Sequence, residues 1–501
     1  MSRTLPALLA MLGLAGYAGL GVARAADPFM VVVLPDTQNY SKSYPATFTA
    51  QTQWIADNAV TENILFVSHM GDIVQDWNKQ QQWNRAIASM GILDAAGLPY
   101  GTVMGNHDGR SYQASYYLNS FGPQHYQGET WYGGASPSGL SNYQIISAGG
   151  MTFLFLHVQV DTPPAELTWA QGILDANRDK PVVFSTHRYL MDFRILEGRF
   201  WNYDIFGGTY EPDAVMSETL FQTFVKTNKN IFLVLCGHIA GQYHQVSQND
   251  WGLPVYEILQ DFDSYEDNGG NGWMRLLTFD VDANQIQVDM YSPTLGRFRL
   301  DGPKETHEDF QHTLDLMDDP DLLDEIIDIV LSIDPNFDVE AYIQWLTENG
   351  GENFWDLAYA DGQRDSSFAM TVNFDAYITH QYALAIDYVN GTWGQVDVAP
   401  EPNDPNLFQY TEGTPVTLTA VPIEGKAFTH WEVYDPNHPG DANHVAIDAN
   451  NPLTIMMDAD REVTAVFKCG SGVGIGPLLM AGLAICGVAS RRMRRNGGPG
   501  R

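Results

Sequence analysis

At 501 residues the chain is too long for a single compact domain, so two or three folded units are expected. Its 44% hydrophobic and 12% aromatic residues exclude a disordered polymer. Sixty-one acidic against 26 basic side chains leave a formal charge of −35, which repels phosphate backbones and argues against specific nucleic-acid binding.

In chain order, residues 1–25 come first. Arg3, an apolar run from Leu5 to Val22 and the small residues Ala23 and Ala25 around Arg24 have the arrangement of a cleaved secretory leader. From Pro28 to about Gly302, short apolar runs alternate with helix-compatible segments. The runs are Phe29–Leu34, Ile64–Val67, Tyr100–Met104, Met151–Val158, Pro181–Ser185 and Ile231–Cys236, each of the length and Val/Ile/Phe/Leu content of strands buried on both faces. Phe48–Val60 and Trp83–Ala95 carry apolar residues at helical spacing, so the alternation predicts a layered α/β domain over 26–303.

Five polar clusters stand at the carboxyl ends of five of these runs: Asp36-Thr-Gln38, Gly71-Asp72 to Asp76, Gly105-Asn106-His107-Asp108, Thr186-His187-Arg188 and Gly237-His238. Ligands of open α/β sheets bind beyond the strand carboxyl ends, so the clusters are predicted to converge. Their carboxylates, imidazoles and amides are ligands for borderline metals such as Zn, Mn or Fe. A lone histidine or aspartate at a strand end is commonly a hydrogen-bonding or capping residue, and the signal lies in five clusters together. Two cations a few ångströms apart clamp a phosphoryl group and turn a shared water into hydroxide near neutral pH. An imidazole has the pKa suited to protonating the leaving alkoxide.

The order D-x-[HQ], GDxxxD, GNH[DE], a strand-end His and GH resembles the calcineurin-like metallophosphoesterases over residues 28–300. The resemblance implies a β-sandwich flanked by helices with two metals above it. Asp72 then resembles the bridging carboxylate, Asp36 a ligand of the first metal, and Asn106, His187 and His238 ligands of the second. His107 resembles the catalytic acid, with Asp76 or Asp108 as the carboxylate that fixes its tautomer and Arg188 as a contact to a phosphate oxygen. Two departures concern the first metal: Gln38 stands where most members have His, and Ala240 ends the usual GHxH. That position is therefore expected to favour a harder ion such as Mg, Ca or Mn. His69 and His244 lie near enough in sequence to approach the site, although they and His157 read as structural.

Glu305–Glu348 holds 14 acidic residues and no Lys or Arg, yet Leu322, Leu323, Ile326, Ile327 and Val330 form a helical stripe. An acidic helical spacer is predicted over 304–366. Residues 367–468 switch to an all-β pattern, with an Asn390-Gly391 hairpin signal. Gly391-Thr-Trp-Gly394, Tyr410 to Ala420, Phe428 to Trp431 and Met456 to Phe467 resemble the internalin B-repeat-like modules of bacterial surface proteins, which implies a stalk or a module for a cell-surface ligand. The tail 469–501 has Cys469-Gly-Ser-Gly, a charge-free span from Gly472 to Ser490, and Arg491, Arg492, Arg494 and Arg495. It resembles a surface-sorting signal, and a permanent transmembrane anchor has the same pattern. Three cysteines, Cys236, Cys469 and Cys486, imply no disulfide framework.

The expectation is an exported phosphate mono- or diesterase with two divalent metals, anchored at the cell surface or in the periplasm. A catalytically inert surface-binding protein on a degenerate scaffold is the alternative.

Overall fold

The structure is a computed structural model and describes residues 27–192, 197–200, 208–263, 267–299, 366–403, 408–435 and 445–469. The predicted leader, the apolar span with its arginines and, but for Ser366, the acidic spacer lie outside them. No helix among the described residues is long and apolar enough to cross a membrane. Two units are present, one ending at His380 and one beginning at Gln381.

The first unit starts with β1 (Phe29–Leu34), α1 (Gln38–Lys42), α2 (Pro45–Asn58), β2 (Ile64–His69), α3 (Gln80–Ala96) and β3 (Tyr100–Thr102), the three strands pairing in parallel. Next come α4 (Ser115–Phe121), β4 (Tyr132–Ala135), β5 (Asn142–Ala148), β6 (Met151–His157), α5 (Pro164–Ala176) and β7 (Val182–Arg188). A small hairpin, β8 (Leu190–Asp192) with β9 (Glu197–Arg199), precedes α6 (Ser217–Leu220) and a π turn over Phe221–Val225. The chain continues through β10 (Ile231–Gly237), β11 (Gly241–Gln248), β12 (Pro254–Asp261), β13 (Met274–Asp280), β14 (Gln285–Ser292), β15 (Arg297–Phe298) and β16 (Phe368–Thr371).

These strands form two seven-stranded sheets. One has the order β15-β14-β13-β1-β2-β3 with β16 also on β14, the other β11-β12-β10-β7-β6-β5-β4. Side-chain alternation stacks them. Val31 and Val33 of β1 enter a core shared with Phe155, Val183, Leu233 and Leu235 of the second sheet, whereas Val32 and Leu34 face α2 and α3 through Phe48, Ile55, Trp83 and Met90. On the far side Val182, Phe184, Val234 and Cys236 pack under α5 and the 217–225 helix through Ala170, Leu174, Leu220 and Phe224. The result is the predicted β-sandwich between two helical layers, and the fully buried runs of β1, β7 and β10 are strands covered on both faces.

Residues 368–377 differ from expectation. The sequence pattern puts them with the β-rich domain, yet Phe368–Thr371 pairs with the edge of β14 and Phe374 packs 5.5 Å from Phe153 and 5.6 Å from Phe232, ring to ring. An unpaired strand edge and an aromatic core offer that segment more burial than the module after it.

In the second unit β17 (Gln381–Val389), β18 (Gly394–Ala399), β19 (Gln409–Thr411), β20 (Pro415–Pro422), β21 (Lys426–Tyr434), β22 (Val445–Asp448), β23 (Leu453–Met456) and β24 (Arg461–Cys469) form two sheets, β19-β17-β24-β21-β22 and β18-β20-β23. Between them lies a core of Leu384, Val416, Leu418, Trp431, Val463 and Phe467. Asn390 does turn the chain, with φ of 61°, but β17 pairs with β19 and β24 while β18 pairs with β20. The Asn-Gly hairpin is therefore a corner between sheets, because the turn dipeptide fixes only local direction and burial chooses the partners.

Candidate metal centre

The parallel strands of both sheets bring their carboxyl ends to one edge, and the polar clusters meet there. Asp36 follows β1, Asp72 follows β2, Asn106 follows β3, His187 lies near the end of β7, and His238 follows β10. Asp72 has φ of 45° and His238 φ of 75°, so both hold left-handed backbone that ordinary residues avoid. Strain of about 1–3 kcal/mol per such residue persists where surrounding structure enforces it, as at ligand sites.

His187 is the hub. Its Nδ1–H donates to the Met70 carbonyl at 2.9 Å, which fixes the ring and leaves Nε2 facing the cleft. Nε2 lies 3.1 Å from Asp72 Oδ2, 3.0 Å from Asn106 Oδ1 and 3.9 Å from Asp36 Oδ2. A basic nitrogen and three acceptor oxygens directed at one another are reconciled only by a proton or a cation between them. Ligand atoms of Asp72, His187 and His238 all lie within 4.8 Å of one another, a spacing that suits a metal ion. The donor set of imidazoles, carboxylates and an amide oxygen fits the divalent metals expected of the family.

Asp72 uses both oxygens, Oδ1 accepting the backbone N–H of His107 at 2.7 Å. Burial raises its pKa, but His187, followed by His107 and His238, outweighs this and holds the carboxyl at about 2. Asp36 differs: burial, then repulsion from Asp261, Asp72 and Asp263, pushes its pKa well above the usual range, although Oδ2 accepts the backbone N–H of His238 at 3.0 Å. Burial lowers His238, helped by His187 and Arg188, which keeps it neutral as a ligand must be.

The remaining predicted residues fall elsewhere. His107 Nδ1 sits 2.8 Å from the Gln75 carbonyl, so a backbone oxygen orients it rather than Asp76 or Asp108. Asp76 is engaged with Gln82, which donates to Oδ2 at 2.7 Å, and Asp108 accepts the N–H groups of Val74 and Gly105 at 3.0 and 2.9 Å, bracing two site loops. Arg188 has no exposed side-chain surface; it donates to the Gly208 carbonyl, lies 3.5 Å from Asp161, and packs between the rings of Phe200 and Tyr210. Neighbouring strand residues face opposite ways, so Arg188 does not join His187 among the converging ligands; its cation packs on Tyr210, the ring edge-on to His238, and helps lower the pKa of His238. Gln38 donates to Asp263 at 2.5 Å. His69 bonds Thr37 at 3.0 Å, His157 bonds Ser68 at 2.7 Å, and His244 stacks on Phe368; burial lowers both His69 and His157 to about 3. None of the three replaces an imidazole at the first position.

Asp261, Asp263 and Tyr210 were not anticipated. Tyr210 lies edge-on to His238 with centroids 5.6 Å apart, and its backbone N–H is held by Asp161 at 2.7 Å. A signal for the aspartates existed, a polar Gln-Asp-Phe-Asp run closing the apolar stretch Val255–Leu259.

The sequence matches the calcineurin-like phosphoesterase family over residues 29–242. Residues 29–242 are a calcineurin-like phosphoesterase domain. Residues 385–471 match the divergent InlB B-repeat domain and form such a domain. A curated relative, the uncharacterized protein YvnB of Bacillus subtilis (strain 168), is 32% identical over 280 residues, 54% of this chain. The chain spans only 20% of that relative's length. Among solved structures, purple acid phosphatase PPD1 from yellow lupin (Lupinus luteus) seeds is 14% identical with a TM-score of 0.37, covering 55% of this chain and 53% of that one. A dimetal phosphatase from Danio rerio is 12% identical with a TM-score of 0.35, covering 53% of this chain and 97% of that one. Likenesses this slight say nothing of activity.

One glycine tests the geometry of the phosphoesterase domain. A Cβ on Gly105 would lie 2.1 Å from Asp72 Oδ1 and 2.3 Å from Asp72 N. Gly105→Ala is expected to destabilise by about 1–3 kcal/mol through overpacking, and to lower metal content as Asp72 is displaced. Unchanged melting temperature and metal content would contradict this placement.

Proposed function

We propose that the chain is an exported, metal-dependent hydrolase of phosphate mono- or diesters. The convergence of Asp72, Asn106, His187 and His238 on one point carries the proposal. These residues with Asp36 would hold two divalent cations, which when bound would supply the Lewis acidity that ester hydrolysis requires. The protein does the rest: Met70 fixes the His187 tautomer, the His107 N–H holds the shared carboxylate, and Tyr210 walls the site beside His238. His107 is proposed to protonate the leaving oxygen, its Nδ1–H held by the Gln75 carbonyl. The test is turnover of a panel of nucleotides, phospholipid headgroup esters and sugar phosphates by the metal-loaded full chain. No turnover despite bound metal would favour the inert surface-binding alternative.

Anchoring is part of the same proposal. A chain truncated before Gly472 loses the charge-free span and its arginines, so it is expected in the medium or periplasm, soluble and still active. Fractionation and immunodetection check this. Retention of the truncated protein in the membrane fraction would show that the anchor lies elsewhere.

A further inference from the structure

The first metal position has lost two imidazoles, at Gln38 and Ala240, yet its surroundings are more anionic for it. Strand pairing explains why. β12 runs beside β10 in parallel, with Cys236 opposite Leu259, and beside β11 in antiparallel, with Gly241 opposite Asp261. Asp261 is thereby delivered next to Ala240, where the GHxH pattern would place its second histidine. Two residues on, Asp263 lies against Gln38, the other altered position, accepting its Nε2–H at 2.5 Å. Asp36, Asp72, Asp261 and Asp263 are each at least nine-tenths buried.

Acidic residues alone do not make a site, but two orphaned atoms point to a ligand. With its NH₂ committed to a carboxylate, the Gln38 amide must leave Oε1 free, and that oxygen is buried without a partner. Asp36 Oδ1 is likewise buried with no N–H donor, its carboxyl lying within hydrogen-bond reach of that of Asp261. A Cβ on Gly237 would lie 2.1 Å from Asp36 Oδ1, so only glycine there lets this bare oxygen occupy its place at the end of β10. A buried oxygen left without a partner is costly, and a bound cation would remove that cost. Around Asp36 the strongest neighbouring charges are other carboxylates, Asp261 first. Carboxylate and amide oxygens without imidazole are the ligands of hard cations.

We propose that Asp261 and Asp263 have taken over from the two absent imidazoles, making the first position, with Asp36, Asp72 and the Gln38 Oε1, an all-oxygen site for a hard divalent cation of the Ca, Mg or Mn class. The second position keeps His187 and His238, so the centre is a mixed pair, one hard site and one borderline. This rests on the metal-centre reading above, but the two fail separately: ester turnover judges that one, and cation binding judges this one.

Calcium is the chosen probe, since imidazole is a poor calcium ligand and Ca²⁺ therefore reports the oxygen site by itself. The chelator-stripped full chain is titrated calorimetrically with Ca²⁺ in physiological salt, beside the Asp261→Asn, Asp263→Asn double variant and His238→Ala. One Ca²⁺ should bind the wild type and His238→Ala alike, with at least tenfold weaker binding to the double variant. Acidic surface elsewhere would bind all three proteins equally and cancels in the comparison. Stripped of metal, the double variant should melt no lower than the stripped wild type, because two buried like charges are gone. Equal Ca²⁺ affinity in the wild type and the double variant would overturn the proposal. Should the double variant not fold, Ala240→His decides: an imidazole added at a true ligand position shifts the Zn²⁺ to Ca²⁺ affinity ratio of that site upward by tenfold or more, and an unchanged ratio overturns the proposal.

Discussion

Asp72→Asn is expected to abolish phosphate-ester hydrolysis and to lower bound metal, while the fold persists. Asparagine keeps an oxygen to accept the His107 N–H that Asp72 Oδ1 now accepts at 2.7 Å, so the local loop has no reason to open. What it loses is the charge that faces His187 Nε2 at 3.1 Å and that both cations are proposed to share. Loss of a partner that merely supports a metal ligand costs about 10–100-fold; loss of a shared ligand should exceed that. The pH profile separates the roles. Asp72 is held at about 2 and stays ionised through any working range. Burial opposes charge on His187, but Asp72 wins and raises its pKa, so the metal-free protein keeps a proton there to higher pH. Metal must displace that proton, and metal uptake should therefore strengthen as pH rises and weaken as it falls. Metal analysis and circular dichroism on wild type and variant at two pH values check this; full activity in the variant would refute the bridging role.

His107→Ala should behave differently, retaining metal and losing rate according to the leaving group. The contact from His107 to Asp72 is a backbone N–H, which alanine also has, so the ligand geometry survives the loss of the ring. Removal of a general acid costs about 10²–10⁴-fold where the leaving alkoxide must be protonated. A nitrophenolate leaves without a proton, and its ester should be hydrolysed at nearly the wild-type rate. Steady-state rates on an alkyl and a nitrophenyl phosphate decide, and equal losses on both would remove His107 from the acid role.

The sandwich was legible in the sequence because its strands are short runs buried on both faces, and the runs at β1, β7 and β10 need no tertiary information to be seen. The convergence of the polar clusters was legible for the same reason, each closing such a run. Residues that depend on pairing across the sheet were not. Asp261 reaches the site only because Gly241 lies opposite it, and Phe368–Thr371 joins β14 across a long stretch of intervening chain. His107 was expected to lean on a carboxylate, but the Gln75 carbonyl does that work, and backbone acceptors leave no trace in residue identity. Adjacency told little of Arg188: one step along a strand reverses the side chain, and its cation packs between Phe200 and Tyr210, the latter beside His238. Asn390-Gly391 failed likewise, a local turn without the hairpin.

Two bound cations, held around Asp72, are proposed to make this chain a phosphoesterase. Reconstitution tests it most directly: the stripped full chain receives divalent metal in measured equivalents, Mn²⁺ first, and hydrolysis of bis(nitrophenyl) phosphate and nitrophenyl phosphate is followed at each step. Activity on at least one ester should appear as the second equivalent binds, and Asp72→Asn should show none at any loading. Turnover that ignores the metal, or a chain that binds two equivalents and hydrolyses neither ester, would contradict it.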